Sequence, residues 1–184
     1  MAIFRGFIAC EIKSTPQILA LEQEIKKTGA DVKLVEPENI HITMKFLGDT
    51  DEHVIDEIER IMKESVHDIK PFSIVLKGTG VFPNQQYIKV LWIGITDNGV
   101  IGTIAQRIDG KLAQLGFSRE HREFSAHLTI GRVKTAKNKD RLLKVIENHV
   151  STEFALQEIR SISLKKSDLT PQGPIYTTLR EVTL

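Results

Sequence analysis

The amino-acid sequence predicts an α+β fold of two similar lobes related by a pseudo-twofold axis. Three observations predict it. The order strand, helix, strand, helix, strand occurs twice, at an offset of about 86 residues. Apolar stripes at helical spacing alternate with short runs of strand length. In each copy the central strand opens on histidine, apolar residue, threonine, apolar residue: HITM at 41–44 and HLTI at 127–130. The copies agree in pattern and not in identity. No linker rich in Pro, Gly or Ser separates them, so repeats 1–83 and 84–184 are expected to pack as one domain spanning 1–184, with terminal strands open to exchange between lobes.

Each element has its own signal. Arg5 to Ile12 is a short apolar run, expected as a buried strand. Thr15-Pro16 supplies an N-cap and a proline at the first helical position, Ile18, Leu21 and Ile25 form the stripe, and Gly29 is the stop. Val32 to Val35 is a short strand, followed by a turn at 36–39 and the strand Ile40 to Leu47. Gly48-Asp49-Thr50 is expected to break that strand and cap a second helix, whose apolar face is Val54, Ile55, Ile58, Ile61 and Met62. Strands follow at Phe72 to Leu76 and Tyr87 to Ile95, separated by the turn-rich GTGVFPNQQ. Ile101, Ile104, Ile108 and Leu112 then mark a helix ending near Gly116, and the loop FSREHREFS leads into HLTIGR. A fourth helix is expected over 139–148, with Leu142, Leu143 and Ile146 inward, and two last strands over 154–164 and 175–184.

Composition narrows the classes. A net charge of +1 argues against a protein that coats nucleic acid, so any phosphate site must be local. The single cysteine, Cys10, lies in an apolar run and is expected as a buried small hydrophobe; alone it allows no intramolecular disulfide and no thiolate zinc cluster. No apolar stretch reaches the roughly 18 residues that span a bilayer, and the N-terminus lacks the features of a signal peptide. A reducing, cytoplasmic setting is expected, with no membrane partner.

The paired motif carries the chemistry. On a strand, His41 and Thr43 share one face while Ile42 and Met44 share the other; His127 and Thr129 stand likewise opposite Leu128 and Ile130. A lone HxT is common and structural. Two copies opening equivalent strands of equivalent repeats would bring a histidine and a threonine from each side of a cleft. In-line displacement at phosphorus needs that arrangement, because one oxygen loses a proton while the opposite oxygen gains one. Histidine serves either role near neutral pH. Threonine hydroxyls donate to the non-bridging oxygens as charge grows there. A phosphodiester fits best, and a strained 2',3'-cyclic ribose phosphate best of all. Two histidines are too few for a typical zinc site, and His53, His67, His121 and His149 show no ligand spacing, so no metal is expected. There is no GxxxxGK[ST], and RIDG at 107–110 puts Arg107 where a nucleotidyl ligase needs lysine, so no cofactor is expected.

HITM and HLTI on pseudo-symmetric repeats, with FRGFIACEI, ENIHITMKFLGD and SAHLTIGRVK around them, resemble the 2H phosphoesterases, and within them the 2'-5' RNA ligase family of RNA 2',3'-cyclic phosphodiesterases. The resemblance covers essentially the whole chain. It implies a bilobal α+β fold, antiparallel sheets with helices outside, and both motifs lining a central cleft. It implies hydrolysis of a 2',3'-cyclic phosphate end, as on tRNA fragments, to a 2'-phosphate by a monomer. His41 would be the proton donor and His127 the acceptor, with Thr43 and Thr129 on the phosphate oxygens. The bottom-up argument leaves donor and acceptor interchangeable. Reverse 2'-5' ligation would need neither ATP nor metal. Arg132 is the expected further phosphate contact. Strict alternation puts it opposite His127, and a bulge at Gly131 would return it. Lys45 shares the His41 face under strict alternation and is expected at the substrate, whereas Phe46 is expected in the core. Two other readings fit the same cleft: a non-catalytic RNA-end binding module, and an enzyme acting on a small cyclic nucleotide such as ADP-ribose cyclic phosphate.

Overall fold

The computed structural model describes residues 2–121 and 123–184; Arg122, in the FSREHREFS loop, lies outside the described residues. Among the described residues, nine strands and four helices of three turns or so follow one another: β1 (Ile3–Glu11), α1 (Pro16–Lys27), β2 (Val32–Leu34), β3 (His41–Asp51), α2 (Ile55–Val66), β4 (Phe72–Pro83), β5 (Ile88–Thr96), α3 (Val100–Leu112), β6 (His127–Val133), α4 (Lys139–Asn148), β7 (Glu153–Ile159), β8 (Ser161–Thr170) and β9 (Gly173–Thr183). They form two antiparallel sheets, ordered β3-β1-β8-β9 and β2-β6-β5-β4-β7.

The α+β class and the two-lobed plan are as the sequence predicts, with strands crossing between lobes. β2 and β4 come from the first half of the chain and belong to the second sheet; β8 and β9 come from the second half and complete the first. Helices cross over as well. α2 and α3 pack together and against β9 and β3, while α1 and α4 pack together and against β7 and β4. Each sheet is thus backed by one helix from each half. The stripes read from sequence are the buried faces: Ile18, Leu21 and Ile25 of α1, Ile58, Ile61 and Met62 of α2, Ile101, Ile104, Ile108 and Leu112 of α3, Leu142 and Ile146 of α4. They meet the sheet undersides in one contiguous core. Thr15 caps α1 as expected, its hydroxyl accepting from the Ile18 N–H at 3.4 Å. Cys10 is fully buried, and burial pushes its thiol up to about 12. Among the described residues no helix is long and apolar enough to cross a membrane.

Three expectations are corrected: two where glycines were taken for breaks, and one where a break was missed. Gly48 does not end β3; it adopts φ +68° within the strand, which runs to Asp51, and Asp51 caps the next turn by accepting from the His53 N–H. The stretch GTGVFP is not a turn but the second half of β4. Gly78 absorbs a bulge at φ +74°, and Gly80 lies under the Trp92 ring of β5, where an added Cβ would come within 2.1 Å of the indole. The single strand expected over 154–164 is two. β7 pairs with β4 and β8 with β1, so the chain changes sheets at Arg160, whose guanidinium is exposed. Period-2 alternation runs through a change of sheet without a mark.

Because the Trp92 indole is rigid and half-buried beside β6, Gly80→Ala is expected to lower stability by about 1–3 kcal/mol through overpacking, read as a shifted denaturant midpoint with unchanged m-value.

Candidate active site

β3 and β6 face each other between the two lobes. Between them opens a cleft of about 1410 Å³, bordered by His41, Thr43, Phe46, His127, Thr129 and Arg132. The two HxT pairs expected to meet across a cleft are thereby brought together. Ile42, Met44, Leu128 and Ile130 point the other way, into the core.

The local backbone shows how each strand does this. In β3 the partners run Ala9↔Thr43 and then Ile8↔Lys45, leaving Met44 as an extra residue; in β6 they run Trp92↔Thr129 and then Leu91↔Gly131, leaving Ile130 extra. Both bulges fall at the fourth motif position. Beyond each, the parity of the strand is reversed. Arg132 therefore turns back to the His127 face, as a bulge beside Gly131 would require. Gly131 itself is pressed under β2, where a Cβ would lie 2.9 Å from Val32 Cγ1. The same reversal corrects two expectations in the first motif. Phe46 is not core: it is 65% exposed and borders the cleft. Lys45 does not share the His41 face. It reaches the cavity wall, but its ammonium is buried, paired with Asp109 Oδ1 of α3 at 2.6 Å and donating to Ser118 O at 2.6 Å.

Each histidine is held in the same way. His41 Nδ1 lies 2.7 Å from Asn39 O, and His127 Nδ1 lies 2.9 Å from Ser125 O. A carbonyl only accepts, so Nδ1 carries the proton in both rings and Nε2 is left for proton transfer. Asn39 is itself tied to β9 through Nδ2–H to Pro174 O at 3.2 Å. Ser125 belongs to the segment after α3, which Asp109 fixes by accepting from the Glu120 N–H at 3.1 Å and pairing with Arg119. Aromatic rings complete the frame. Phe7 and Tyr176 flank His41 with centroids at 4.9 and 5.3 Å, and Phe82 meets His127 edge-on at 5.0 Å. Neither motif threonine hydroxyl bonds another described residue, and Arg132 has no carboxylate partner among them, so all three are available to an anion.

Burial lowers the His41 pKa from its ordinary value. The Asn39 carbonyl and Glu11 push it up, Lys165 and Arg132 push it down, and the net direction is down. Lys165 is a buried lysine of β8 that pairs with Glu11 and donates to Thr178 Oγ1. Burial alone would raise the Asp109 carboxyl. Lys45, the Glu120 N–H and Arg119 outweigh it and hold the group below the usual carboxylate range. Sequence reasoning missed Tyr176, Phe7, Phe82, Asp109 and Lys165. Phe7 had a faint signal as an aromatic on the strand neighbouring HxT, but nothing local ties Tyr176 or Asp109 to either motif. The remaining histidines stand apart: His53 pairs with Asp51, His149 with Glu24, and His67 and His121 are exposed. Arg107 of the RIDG stretch clamps Asp68 at the end of α2.

Two antiparallel sheets joined through a histidine-lined cleft define a two-lobed phosphoesterase fold. A family model described as LigT like Phosphoesterase matches the chain twice, over 11–92 and 93–176. The chain is 44% identical over 179 residues to an RNA 2',3'-cyclic phosphodiesterase of Methanocaldococcus jannaschii, covering 96% of this chain and 99% of that one. It is 36% identical to the protein so named in Methanothermobacter thermautotrophicus, covering 95% and 96%. Among solved structures, a Thermus thermophilus protein superposes with a TM-score of 0.78 at 24% identity, covering 98% and 97%. Escherichia coli LigT complexed with 3'-AMP gives 0.73 at 18%, covering 100% and 99%. The chain belongs to the LigT-like phosphoesterase family.

Two outcomes are expected from this geometry. The depressed Asp109 carboxylate stabilises the fold above the ordinary carboxylate pKa, and that stability is lost as pH falls through its own folded pKa. Asp109→Asn strands the buried Lys45 ammonium and should cost about 3 kcal/mol near neutral pH, with the gap to the parent closing in acid, measured by urea unfolding across pH. In an NMR titration, His41 should titrate below the ordinary histidine value, and Arg132→Ala should move it upward.

Proposed function

We propose that the cleft hydrolyses RNA 2',3'-cyclic phosphate ends to 2'-phosphates by two-histidine acid/base catalysis, without metal or nucleotide cofactor. The observation that carries this is the duplicated His–Thr pair, each histidine with Nδ1 fixed by the carbonyl two residues upstream. The names of the relatives support the substrate.

The cyclic phosphate sits between β3 and β6, its charge met by the Arg132 guanidinium and the Thr43 and Thr129 hydroxyls. His127 Nε2 takes a proton from water as the water oxygen bonds to phosphorus. The bond from phosphorus to O3' breaks on the opposite side, and His41 Nε2–H delivers a proton to the departing oxygen. The 2'-phosphate leaves, and solvent resets the two rings. Reverse ligation follows the same path with an RNA 5'-hydroxyl in place of water, giving a 2'-5' linkage driven by the strained ring. Both histidines come from one chain, so the site is complete within a single bilobal domain, in keeping with a monomer.

A second assignment draws on one observation. Burial and the flanking cations favour neutral His41, which suits a base. In this version His41 activates water and His127 protonates the leaving oxygen. The charge of bound phosphate opposes that bias, and the donor role for His41 is the one the family resemblance implies.

In EDTA, the protein should convert an oligonucleotide 2',3'-cyclic phosphate to the 2'-phosphate, and His41→Ala and His127→Ala should each slow turnover by about 10²–10⁴-fold. Binding with no turnover by the parent protein would identify a binding module instead. A substrate with sulfur at the 3' position, whose thiolate leaves without a proton, should restore only the variant lacking the donor.

A further inference from the structure

A second, smaller groove of about 390 Å³ adjoins the cleft, and Arg132 lines both. Its walls are the start of β5 and the segment from the end of β6 to the start of α4. Lys89, Lys134 and Lys139 line it together with Tyr87, and no Asp or Glu does. Tyr87 is 62% exposed, and the Lys89 ammonium lies 5.1 Å from its ring centroid. Lys139 Nζ donates to Gln86 O at 3.4 Å, closing one end of the groove against the turn before β5.

These cations differ from several others on the surface. Lys63, Arg60, Lys111, Arg107 and Arg160 are each paired with a carboxylate. Lys89, Arg132, Lys134 and Lys139 have no carboxylate partner among the described residues. The rest of the cleft rim is net acidic, with Glu36, Glu38, Glu120 and Glu123 outnumbering Lys33. A molecule with a net charge of only +1 thus gathers positive charge at one mouth of its cleft and negative charge at the others. A single cyclic phosphate is satisfied by Arg132 and the motif threonines. Three further cations leading away from it match a ligand with repeated phosphates, and an exposed aromatic ring among them matches one with bases.

We propose that this groove is the track for the RNA strand that precedes the cyclic phosphate end. Arg132 stands at the junction, Lys89, Lys134 and Lys139 neutralise the next phosphates, and Tyr87 offers its ring face to a base. The inference rests on the cyclic phosphodiesterase reading of the cleft and deepens it: the preferred substrate is an oligonucleotide rather than a cyclic mononucleotide. The acidic rim turns the strand away from the other exits.

The test pairs binding with turnover. A fluorescent oligoribonucleotide ending in a 2'-phosphate is titrated by anisotropy at several salt concentrations, and turnover is measured on a cyclic-phosphate oligonucleotide and on 2',3'-cyclic AMP. The double variant Lys89→Ala/Lys134→Ala should weaken oligonucleotide binding at least tenfold and reduce the slope of log Kd against log salt by about 0.7 per lost contact. Its kcat/KM on 2',3'-cyclic AMP should stay within about twofold, as the phosphate site itself is untouched. Tyr87→Ala should weaken binding about tenfold with an unchanged salt slope, because stacking releases no counterions. Unchanged affinity and slope in the double variant, or an equal loss on 2',3'-cyclic AMP, overturns the track. If the parent protein turns over neither substrate while the slope responds to the lysines, the catalytic reading falls and the track stands.

Discussion

One extra residue in each of two strands governs the geometry of the cleft. A strand that buries one face alternates strictly, and a histidine and threonine two apart then exclude the residue five after the histidine from their side. Met44 and Ile130 each add a residue without a partner on the neighbouring strand, both remaining in the core. The parity reverses, and the side chain at the sixth motif position swings to the cleft. In β6 that residue is Arg132, which brings a cation to a surface otherwise made of two neutral hydroxyls and two imidazoles. In β3 it is Phe46, which brings an aromatic face. The residue just before it is turned inward in both strands: Gly131 fits beneath β2, and Lys45 reaches Asp109. The bulge thus aims one functional group and buries another.

The Lys45–Asp109 pair shows what the inward turn accomplishes. It joins the strand of the first histidine to the helix and loop that precede the second. Ser125, whose carbonyl holds His127, lies at the end of that loop, and Asp109 anchors the loop at Glu120 and Arg119. A buried ion pair contributes little net stability when compared with apolar packing, since both charges lose their water. Its value here lies in direction: the ammonium has few other acceptors, so the two halves of the site are held in one register.

Pseudo-symmetry supplies two imidazoles of like tautomer, and asymmetric surroundings distinguish them. His41 is half-buried between Phe7 and Tyr176 and feels Lys165 and Arg132, whereas His127 meets Phe82 at its edge. Two identical rings would have no preferred direction of proton transfer. The same asymmetry extends outward, where unpaired cations gather on the β5–β6 side and carboxylates line much of the remaining rim.

The local order of the chain was legible in its letters. Apolar periodicity gave the four helices with their buried faces, the Thr15-Pro16 cap, and the repeated strand pattern. The repeat of HxT gave His41, Thr43, His127 and Thr129 as one site, because a shared pattern at equivalent positions implies a shared place in space. What failed to show were the features set by partners distant in sequence. The glycines at 48, 78 and 80 looked like breaks, yet each serves a bulge or a close approach that only the neighbouring strand requires. The change of sheet at Arg160, the capture of Lys45 by Asp109 and the placing of Tyr176 against His41 all join residues far apart in the chain. Sequence fixes which face of an element is apolar, since that depends on neighbours two to four residues away. Which strand lies alongside, where its register slips and which charge meets which depend on packing the whole core at once, and only the tertiary structure decided them.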